Sequence, residues 1–497
     1  MMESANTPVA GKAANKGYRT KVLLLLTIVY GFNFIDRQIV GILAPWIQAD
    51  LSLTNTELGL LVGLAFAAFY TIMGIPLAFL SDRMNRVTLL SLALAVWSGF
   101  TALTGYAQNF THIALARVGV GIGEAGGSPP SHSMISDFYA KEERAGALGI
   151  YSLGIPVGIM AAYFLTAALL GADAETVNWR KIFITLGGFG ILLAILVRLA
   201  IREPERGAME TSAKPPSGYI SLKQSFAQSN LTPRIGIFGG LLALLIAAWA
   251  LGHMSIVFVI PFAIFLITMF LLSLQPGVMT ILSIKSWWWM ALGIAFASFA
   301  SYAISGFQTK FLRLLEPDFS PRVFIVWIGI INGTFYVAGT YFGAKLVDMK
   351  AKTDIRAYGT IPAIAILLAA PLAYAAFWAP SITVHLAVGA ILQLCLGVYL
   401  GPSFAIAQTL APVKLRSMST ALFFFVLNMV ALGGGPTFAG AMIDVFLNKG
   451  ETELNATRLA MYVTFGAYAL SFMFYMFVRK TLPEDWAAAQ ARNESGT

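Results

Sequence analysis

The sequence predicts an all-α polytopic membrane protein of fourteen spans, arranged as six, two and six. Three observations predict it. Of its 497 residues, 58% are hydrophobic and only 11% charged, where a soluble globular domain carries about 25% charged residues. The apolar residues gather into runs of about 20, the length that crosses a bilayer as a helix. The chain also repeats itself. FYTIMGIPLAFLSDR from Phe69 aligns with FYVAGTYFGAKLVDM from Phe335 at an offset of 266, carrying Asp82 onto Asp348. SPPSHSMISDFYAKEER from Ser128 resembles LGPSFAIAQTLAPVKLR from Leu400, carrying Arg144 onto Arg416.

Residues 1–21 are a polar tail with Lys12, Lys16, Arg19 and Lys21. The apolar run behind them is too long for a signal-peptide core and has no small-residue cleavage site, so the first span is expected to be retained. Six spans follow near 22–46, 57–80, 87–107, 111–134, 145–170 and 180–201, forming a first bundle over 22–201. The Pro, Ser and charges of 202–233 mark a linker, with one short helix expected around Leu222 to Phe226. Residues 235–274 are almost uninterruptedly apolar apart from Gly252-His253-Met254-Ser255. That pattern predicts a transmembrane hairpin inserted over 234–284, peripheral and lipid-facing. Six further spans near 287–312, 323–347, 357–377, 382–408, 417–443 and 458–479 make a second bundle over 285–480, before a tail at 481–497. Of the 33 Lys and Arg, 24 fall on the side of the N-terminus, 7 on the other, and Arg37 and Arg117 within spans. By the positive-inside bias both tails and the linker are cytoplasmic. The hairpin, a pair of spans, leaves this parity unchanged. The net charge of +9 is therefore a topological signal and not a sign of nucleic-acid binding.

Charges inside spans cost roughly 2.5–3.5 kcal/mol each on insertion scales and usually line a pathway. In LARVGVGIGEAGGSPPSH, from Leu115, Arg117 and Glu124 share one helix face with Gly121 and Ser128. Gly119, Gly123 and Gly126 point the opposite way, where small residues admit a close neighbour. In the first span Asn33, Asp36 and Arg37 share a face at i, i+3, i+4. Asp36, Arg37 and Glu124 lie at similar depth, with Arg117 nearer the outside. Two acids and two bases can neutralise one another across a cavity, or simply lock two helices together. The second half lacks such a set, since an offset of 272 puts Gly389 opposite Arg117 and Leu396 opposite Glu124. Its polar candidates are Ser301, Tyr302, Ser305, Gln308, Asn332, Gln393 and Asn428. His132, behind the Pro129-Pro130 break, is a possible relay for protons.

Enzyme chemistry fails on inventory. There is one cysteine, Cys395, and four histidines, at 112, 132, 253 and 385, with no metal-ligand spacing and no nucleotide-binding loop. GIGEAG fits a dinucleotide fingerprint by letter only, because it lies inside an apolar span. No cofactor or metal is expected. Duplicated bundles around buried charges point to a secondary transporter with a midplane site; a channel or receptor is the non-transporter alternative.

Leu80-Ser81-Asp82-Arg83-Met84-Asn85-Arg86, between the second and third spans, resembles the loop signature of the major facilitator superfamily. Asn85 stands in place of its usual Gly, and Ala78 in place of its leading Gly. The resemblance implies the major facilitator fold and a gating role for Asp82, Arg83 and Arg86, with Asp348 as the weaker second-half copy. FNFIDRQIVG and ARVGVGIGEAGGSPP look like the spinster-like branch, described as lysolipid and sphingolipid-phosphate transporters, some proton-coupled. The inserted hairpin departs from the usual twelve spans. Gly154-Ile155-Pro156-Val157-Gly158 loosely resembles a fifth-span exchanger motif.

The expectation is a proton-coupled secondary active transporter working by alternating access on an amphipathic lysolipid or sphingolipid-like substrate. A sugar, drug-like or other small organic solute is the alternative cargo. Glu124 is the expected principal proton carrier with Asp36, compensated by Arg37 and Arg117. Desolvation and a nearby guanidinium act in opposite senses on such a carboxylate, which lets proton uptake fall in the working pH range. Substrate contacts are expected at Asn33, Arg37, Arg117, Ser128, Tyr302, Ser305, Gln308 and Asn428. The expected partners are the bilayer, protons and the substrate, with no nucleic acid, for a monomer in a bacterial inner membrane.

Overall fold

The computed structural model describes residues 16–81, 83–170, 177–206, 208–209, 231–251, 263, 266–267, 270–271, 273–274, 276–412 and 415–495, and among these no strand occurs. Asp82, the tail before residue 16, the linker helix expected near Leu222 and the hairpin turn at 252–255 lie outside the described residues.

The first bundle contains α1 (Lys16–Leu51), α2 (Asn55–Val62), α3 (Leu64–Ser81), α4 (Arg86–Thr104), α5 (Phe110–Glu124), α6 (Ser128–Phe138), α7 (Lys141–Ser152), α8 (Gly154–Leu169) and α9 (Trp179–Ala200). Then come α10 (Leu231–Ala250) and α11 (Pro276–Leu282). The second bundle contains α12 (Lys285–Leu315), α13 (Pro321–Ile331), α14 (Val337–Ala351), α15 (Ala357–Phe377), α16 (Ile382–Gly397), α17 (Leu400–Thr409), α18 (Arg416–Leu427), α19 (Gly434–Asn448) and α20 (Glu453–Ser495). Eleven helical stretches of the described residues are long and apolar enough to cross a membrane. The expected fourth span is broken in two. Gly126 and Gly127 interrupt it, and Pro129 opens α6 at a position where its missing N–H costs nothing.

Glycines set the helix spacing. A Cβ at Gly119 would lie 2.3 Å from Phe100, one at Gly123 2.7 Å from Trp97, and one at Gly126 2.8 Å from Ala93. All three neighbours are on α4, so this face of α5 is the packing face that its small residues predict. Gly121 does not share the open side expected for it, because its Cβ would meet the Phe66 carbonyl at 2.7 Å. Gly31 against Gly158 joins α1 to α8 in the same way, and Gly339 and Gly397 join α14 to α16.

The face bearing Lys16 and the ends of α3 and α14 is here the terminal face; the opposite one is the far face. The halves meet tightly at the far face. Asp444 of α19 accepts from Asn55 N and Nδ2 (3.1 and 2.8 Å) and from Thr56 N and Oγ1 (2.7 and 2.6 Å). Its carboxylate thus sits on the positive N-terminal end of α2. Buried Lys310 of α12 donates to Gln48 at 2.9 Å and to Asn55, and pairs with Glu453 at 2.6 Å.

At the terminal face Arg86 is buried and ties α4 to α6 and to the chain leaving α9. It reaches Asp137 at 2.5 Å, Ser133 at 2.8 Å, Glu203 at 2.7 Å and the Pro204 carbonyl at 2.9 Å. Arg206 donates to the Ser81 and Met84 carbonyls. In the inserted segment, Leu245 packs on Leu266 with Phe238, Leu242 and Ala263 around them, and Arg234 donates to the Ser273 carbonyl.

Candidate functional site: a cavity backed by two buried ion pairs

Asp36 and Arg37 are neighbours on α1, so their side chains diverge and meet different partners. Arg37 Nε donates to Glu124 Oε2 at 2.7 Å. Asp36 lies 3.7 Å from Arg117 Nη1 and accepts from the Thr101 hydroxyl of α4. The acids and bases therefore pair between α1 and α5, and Arg117 and Glu124, one above the other on α5, each take a partner on α1. The two pairs differ in closeness. Arg37–Glu124 is a charge-assisted hydrogen bond, whereas no hydrogen bond reaches Arg117 Nε or Nη1, and Glu124 Oε1 is equally without a partner among the described residues. Phe66 lies against both guanidinium groups at 5.0 Å, and Tyr70 faces Arg37 at 4.2 Å. These ring faces soften the cost of holding two cations away from water.

A cavity of about 2180 Å3 lies between the halves. Its walls reach Ala78 and Arg83 at the end of α3, and Asp348 and Lys352 at the end of α14, so it opens at the terminal face. Its inner end stops at Val62 and Pro436, beneath the α2–α19 seal. The structure is closed at the far face and open at the terminal one.

The expected contacts Arg37, Ser128, Tyr302, Ser305, Gln308 and Asn428 all line this cavity. Asn33 and Arg117 do not; both are buried, and Arg117 stands behind the wall against Asp36. Asp36 and Glu124 are likewise 1% exposed, so Arg37 is the member of the tetrad that reaches the lumen. His132 is exposed in the protein envelope, lines the cavity and meets Tyr151 edge-on at 5.1 Å. Of the expected gating residues, Arg83 and Asp348 stand at the mouth, and Tyr358 donates to Asp348 at 3.4 Å. Arg86 is held within the first half and the start of the linker. Ile267 and Leu271, from the segment expected to be peripheral, also border the cavity.

Two features of the wall escaped the sequence. Asn332–Tyr336 and Asn428–Gly433 are single π-helical turns inside spans, an irregularity frequent at functional sites. Each opens on an asparagine that lines the cavity. His385, which lines a small recess and not the cavity itself, is the other. It is 1% exposed on α16 and bonded to Gln308, although the histidine count alone gave it no role.

The arrangement resembles known proteins. Residues 26–359 match the Major Facilitator Superfamily model. An MFS-type efflux pump of Mycolicibacterium smegmatis is 26% identical over 84% of this chain and 83% of its own length. Protein spinster homolog 1 of Mus musculus is 28% identical over 41% of this chain, and the match spans 38% of that protein. A probable L-galactonate transporter of Escherichia coli is 33% identical over 36% of this chain and 39% of its own length. Among solved structures, a bacterial homolog to the human lysosomal transporter spinster, in an inward-facing and unoccupied conformation, superposes with a TM-score of 0.75. It is 26% identical over 95% of this chain and 99% of that one. With its duplicated helical bundles and central cavity, the chain belongs to the major facilitator superfamily, and its relatives there are membrane transporters that include spinster proteins.

Proposed function

We propose that this protein is a proton-coupled secondary active transporter, working by alternating access on an amphipathic, lysolipid- or sphingolipid-like substrate. The carrying observation is the pair of ion pairs, Arg37–Glu124 and Asp36–Arg117, built into the wall of a cavity that is open at one face only. Protonation of Glu124 neutralises the partner of Arg37, the one tetrad member in the lumen. The freed guanidinium then has a reason to turn to Asp36 or to an anionic group on the substrate, which gives the two states different free energies. Glu124 is the principal carrier in this reading and Asp36 its partner. A wide cavity walled mainly by apolar and aromatic side chains favours an amphiphile. The galactonate transporter match favours a polyhydroxy acid as the second reading.

The same proposal places both termini and the terminal face in the cytoplasm of a bacterial cell, with 22–201 and 285–480 as the rocking bundles, 202–233 as linker and 234–284 as an added hairpin. Asp82, Arg83, Arg86 and Asp348 adjust the balance between the two open forms. The test is uptake of lysophosphatidylethanolamine, with D-galactonate in parallel, by proteoliposomes under an imposed pH gradient. Glu124→Gln keeps shape and removes ionisation, so it is expected to fold and to lose gradient-driven uptake. Full gradient dependence in Glu124→Gln together with its loss in Asp36→Asn would reverse the assignment. Retention in both would remove proton coupling through this cluster.

A further inference from the structure

His385 and Gln308 form a polar pair that the ion-pair mechanism leaves unused. The His385 ring is fixed between Phe311 and Phe377, each 5.3 Å away. Its Nδ1 lies 2.7 Å from the Ala376 carbonyl. A carbonyl only accepts, so Nδ1 carries the proton, and in the neutral ring Nε2 presents a lone pair. Gln308 Nε2 stands 3.0 Å from that lone pair and donates to it. The amide orientation of Gln308 is thereby set by a backbone carbonyl two bonds away along the chain of donors, and its Oε1 remains as the acceptor. Asn332 repeats the pattern: its Nδ2 is spent on the Ile328 carbonyl at 3.0 Å, leaving Oδ1. Both residues line the main cavity. They also line a recess of about 10 Å3 beside it, together with His385 and Gln393.

The duplication gives this pair a meaning. The pair does not occupy the aligned positions of the tetrad: the offset of 266 that relates the segments after the first span of each half carries Asp36 onto Tyr302, and the offset of 272 carries Arg117 onto Gly389. Gln308 joins α12 to His385 on α16, as Asp36 joins α1 to Arg117 on α5. The second half thus joins the two corresponding helices through a neutral donor–acceptor pair, where the first half joins them through an ion pair.

We infer that Gln308 is the second half's substrate contact, an acceptor for a primary ammonium hydrogen, and that His385 is the positioning residue that turns its carbonyl to the ligand. The inference rests on the amphiphile reading of the cavity, and it names the headgroup: one whose ammonium carries hydrogen-bond donors. A quaternary ammonium of the same charge offers none and leaves the acceptor unpaired, a loss of about tenfold or more in affinity.

The test has two readouts on the full-length chain. The first is 15N NMR of histidine-labelled protein in bilayers, where only four histidines contribute and His385→Phe assigns the signal. A neutral ring protonated at Nδ1 is expected; a ring protonated at Nε2, or at both nitrogens, overturns the positioning role. The second is binding of lysophosphatidylethanolamine against lysophosphatidylcholine of the same acyl chain, in nanodiscs. The unsubstituted protein is expected to prefer the ethanolamine form about tenfold, and Gln308→Leu to bring the ratio to about one. His385→Phe, which keeps an aromatic ring between Phe311 and Phe377, is expected to lower the ratio, and His385→Gln, which can offer an acceptor again, to restore part of it. Equal binding of the two lipids by the unsubstituted protein, or a ratio untouched by Gln308→Leu, overturns the subsite while leaving the amphiphile reading standing. Binding of neither lipid removes that reading and the subsite together.

Discussion

A methyl group at Gly440 should hold the far face open. A Cβ there would stand 2.1 Å from the Asn55 carbonyl oxygen, and one at Gly59 2.3 Å from the Pro436 carbonyl. Backbone atoms cannot swing aside as a side-chain tip does, so α2 and α19 must part by more than an ångström to restore ordinary contact. Parting also stretches the hydrogen bonds from Asn55 and Thr56 to Asp444. Overpacking of a fitted contact costs about 1–3 kcal/mol, and since about 1.4 kcal/mol is a factor of ten, the ratio of far-face-closed to far-face-open molecules falls about 5- to 150-fold. The methyl costs nothing in the form where the helices are apart, so the substitution shifts a population and does not merely destabilise. Spin labels after Cys395→Ser, at Gln108 and Glu451 for the far face and at Met84 and Thr353 for the terminal face, read the two openings. Gly440→Ala is expected to lengthen the first distance and shorten the second. Gly99→Ala, where nothing lies within 4 Å, is the control. A folded Gly440→Ala protein with both distributions unchanged would refute the idea that the α2–α19 contact closes the far face.

Other perturbations follow from the same structure. Asp444→Asn removes the charge at the α2 N-terminus and turns an NH2 donor toward donors from which a carboxylate oxygen now accepts, so the same far-face distance should lengthen; no shift would argue against this contact closing the far face. Arg86→Ala leaves Asp137 and Glu203 without the guanidinium that joins them, and breaking a buried pair costs about 3–5 kcal/mol. A marked fall in melting temperature is expected, and an unchanged one would contradict it. Glu143 carries the pH prediction. Chiefly through its hydrogen bonds with Arg19, its carboxyl is held below the ordinary glutamate value of 4.5. A lowered folded pKa gives stability that is present above 4.5 and lost as pH falls through the folded value. Glu143→Gln should therefore melt below the unsubstituted protein at pH 7 and level with it near the acid limit; a gap that persists in acid would show that the ionised carboxylate is not its source.

Which parts of this were legible in the sequence follows from what each signal encodes. Hydropathy and length fix helices in a bilayer, because an unsatisfied backbone group there costs several kcal/mol, and eleven of the expected spans accordingly have a long apolar helix close to where they were expected among the described residues. Gly119, Gly123 and Gly126 showed the α4-facing side of α5, since a helix turns a fixed angle per residue. Partnership was not legible. Periodicity put Arg117 and Glu124 on one face, but it holds no information on how α1 rotates against α5, and that rotation pairs Arg117 with Asp36 and Glu124 with Arg37. The same ignorance placed Asn33 and Arg117 in the lumen when they stand behind its wall. The π-helical turns at Asn332 and Asn428 have no composition signature of their own. His385 was hidden for a different reason: an isolated histidine in an apolar run reads as one more polar residue until Gln308 is brought to it from 77 residues away.

The asymmetry between the halves bears on how a cycle can be driven. Two rocking bundles of identical chemistry would respond alike to a proton and to a substrate, and a ligand that meets both states equally shifts nothing. Here the buried ion pairs join α1 and α5, and Lys345, Asp348 and Lys352 of the second half line only the terminal-face end of the cavity, while α12 and α16 meet the lumen through neutral amides and hydroxyls. In the proposed cycle a proton taken up by the tetrad would change the charge of one bundle and leave the contacts of the other intact. Ser305 of the second half donates to Gln38 of the first at 2.9 Å, one residue from Arg37. At that contact α1 and α12 cross closely, with the Ser305 carbonyl 3.0 Å from where a Gly41 Cβ would stand. In the proposed cycle proton and substrate would act on different walls of one cavity, and the close crossing of α1 and α12 beside the ion pair is a place where the two walls meet.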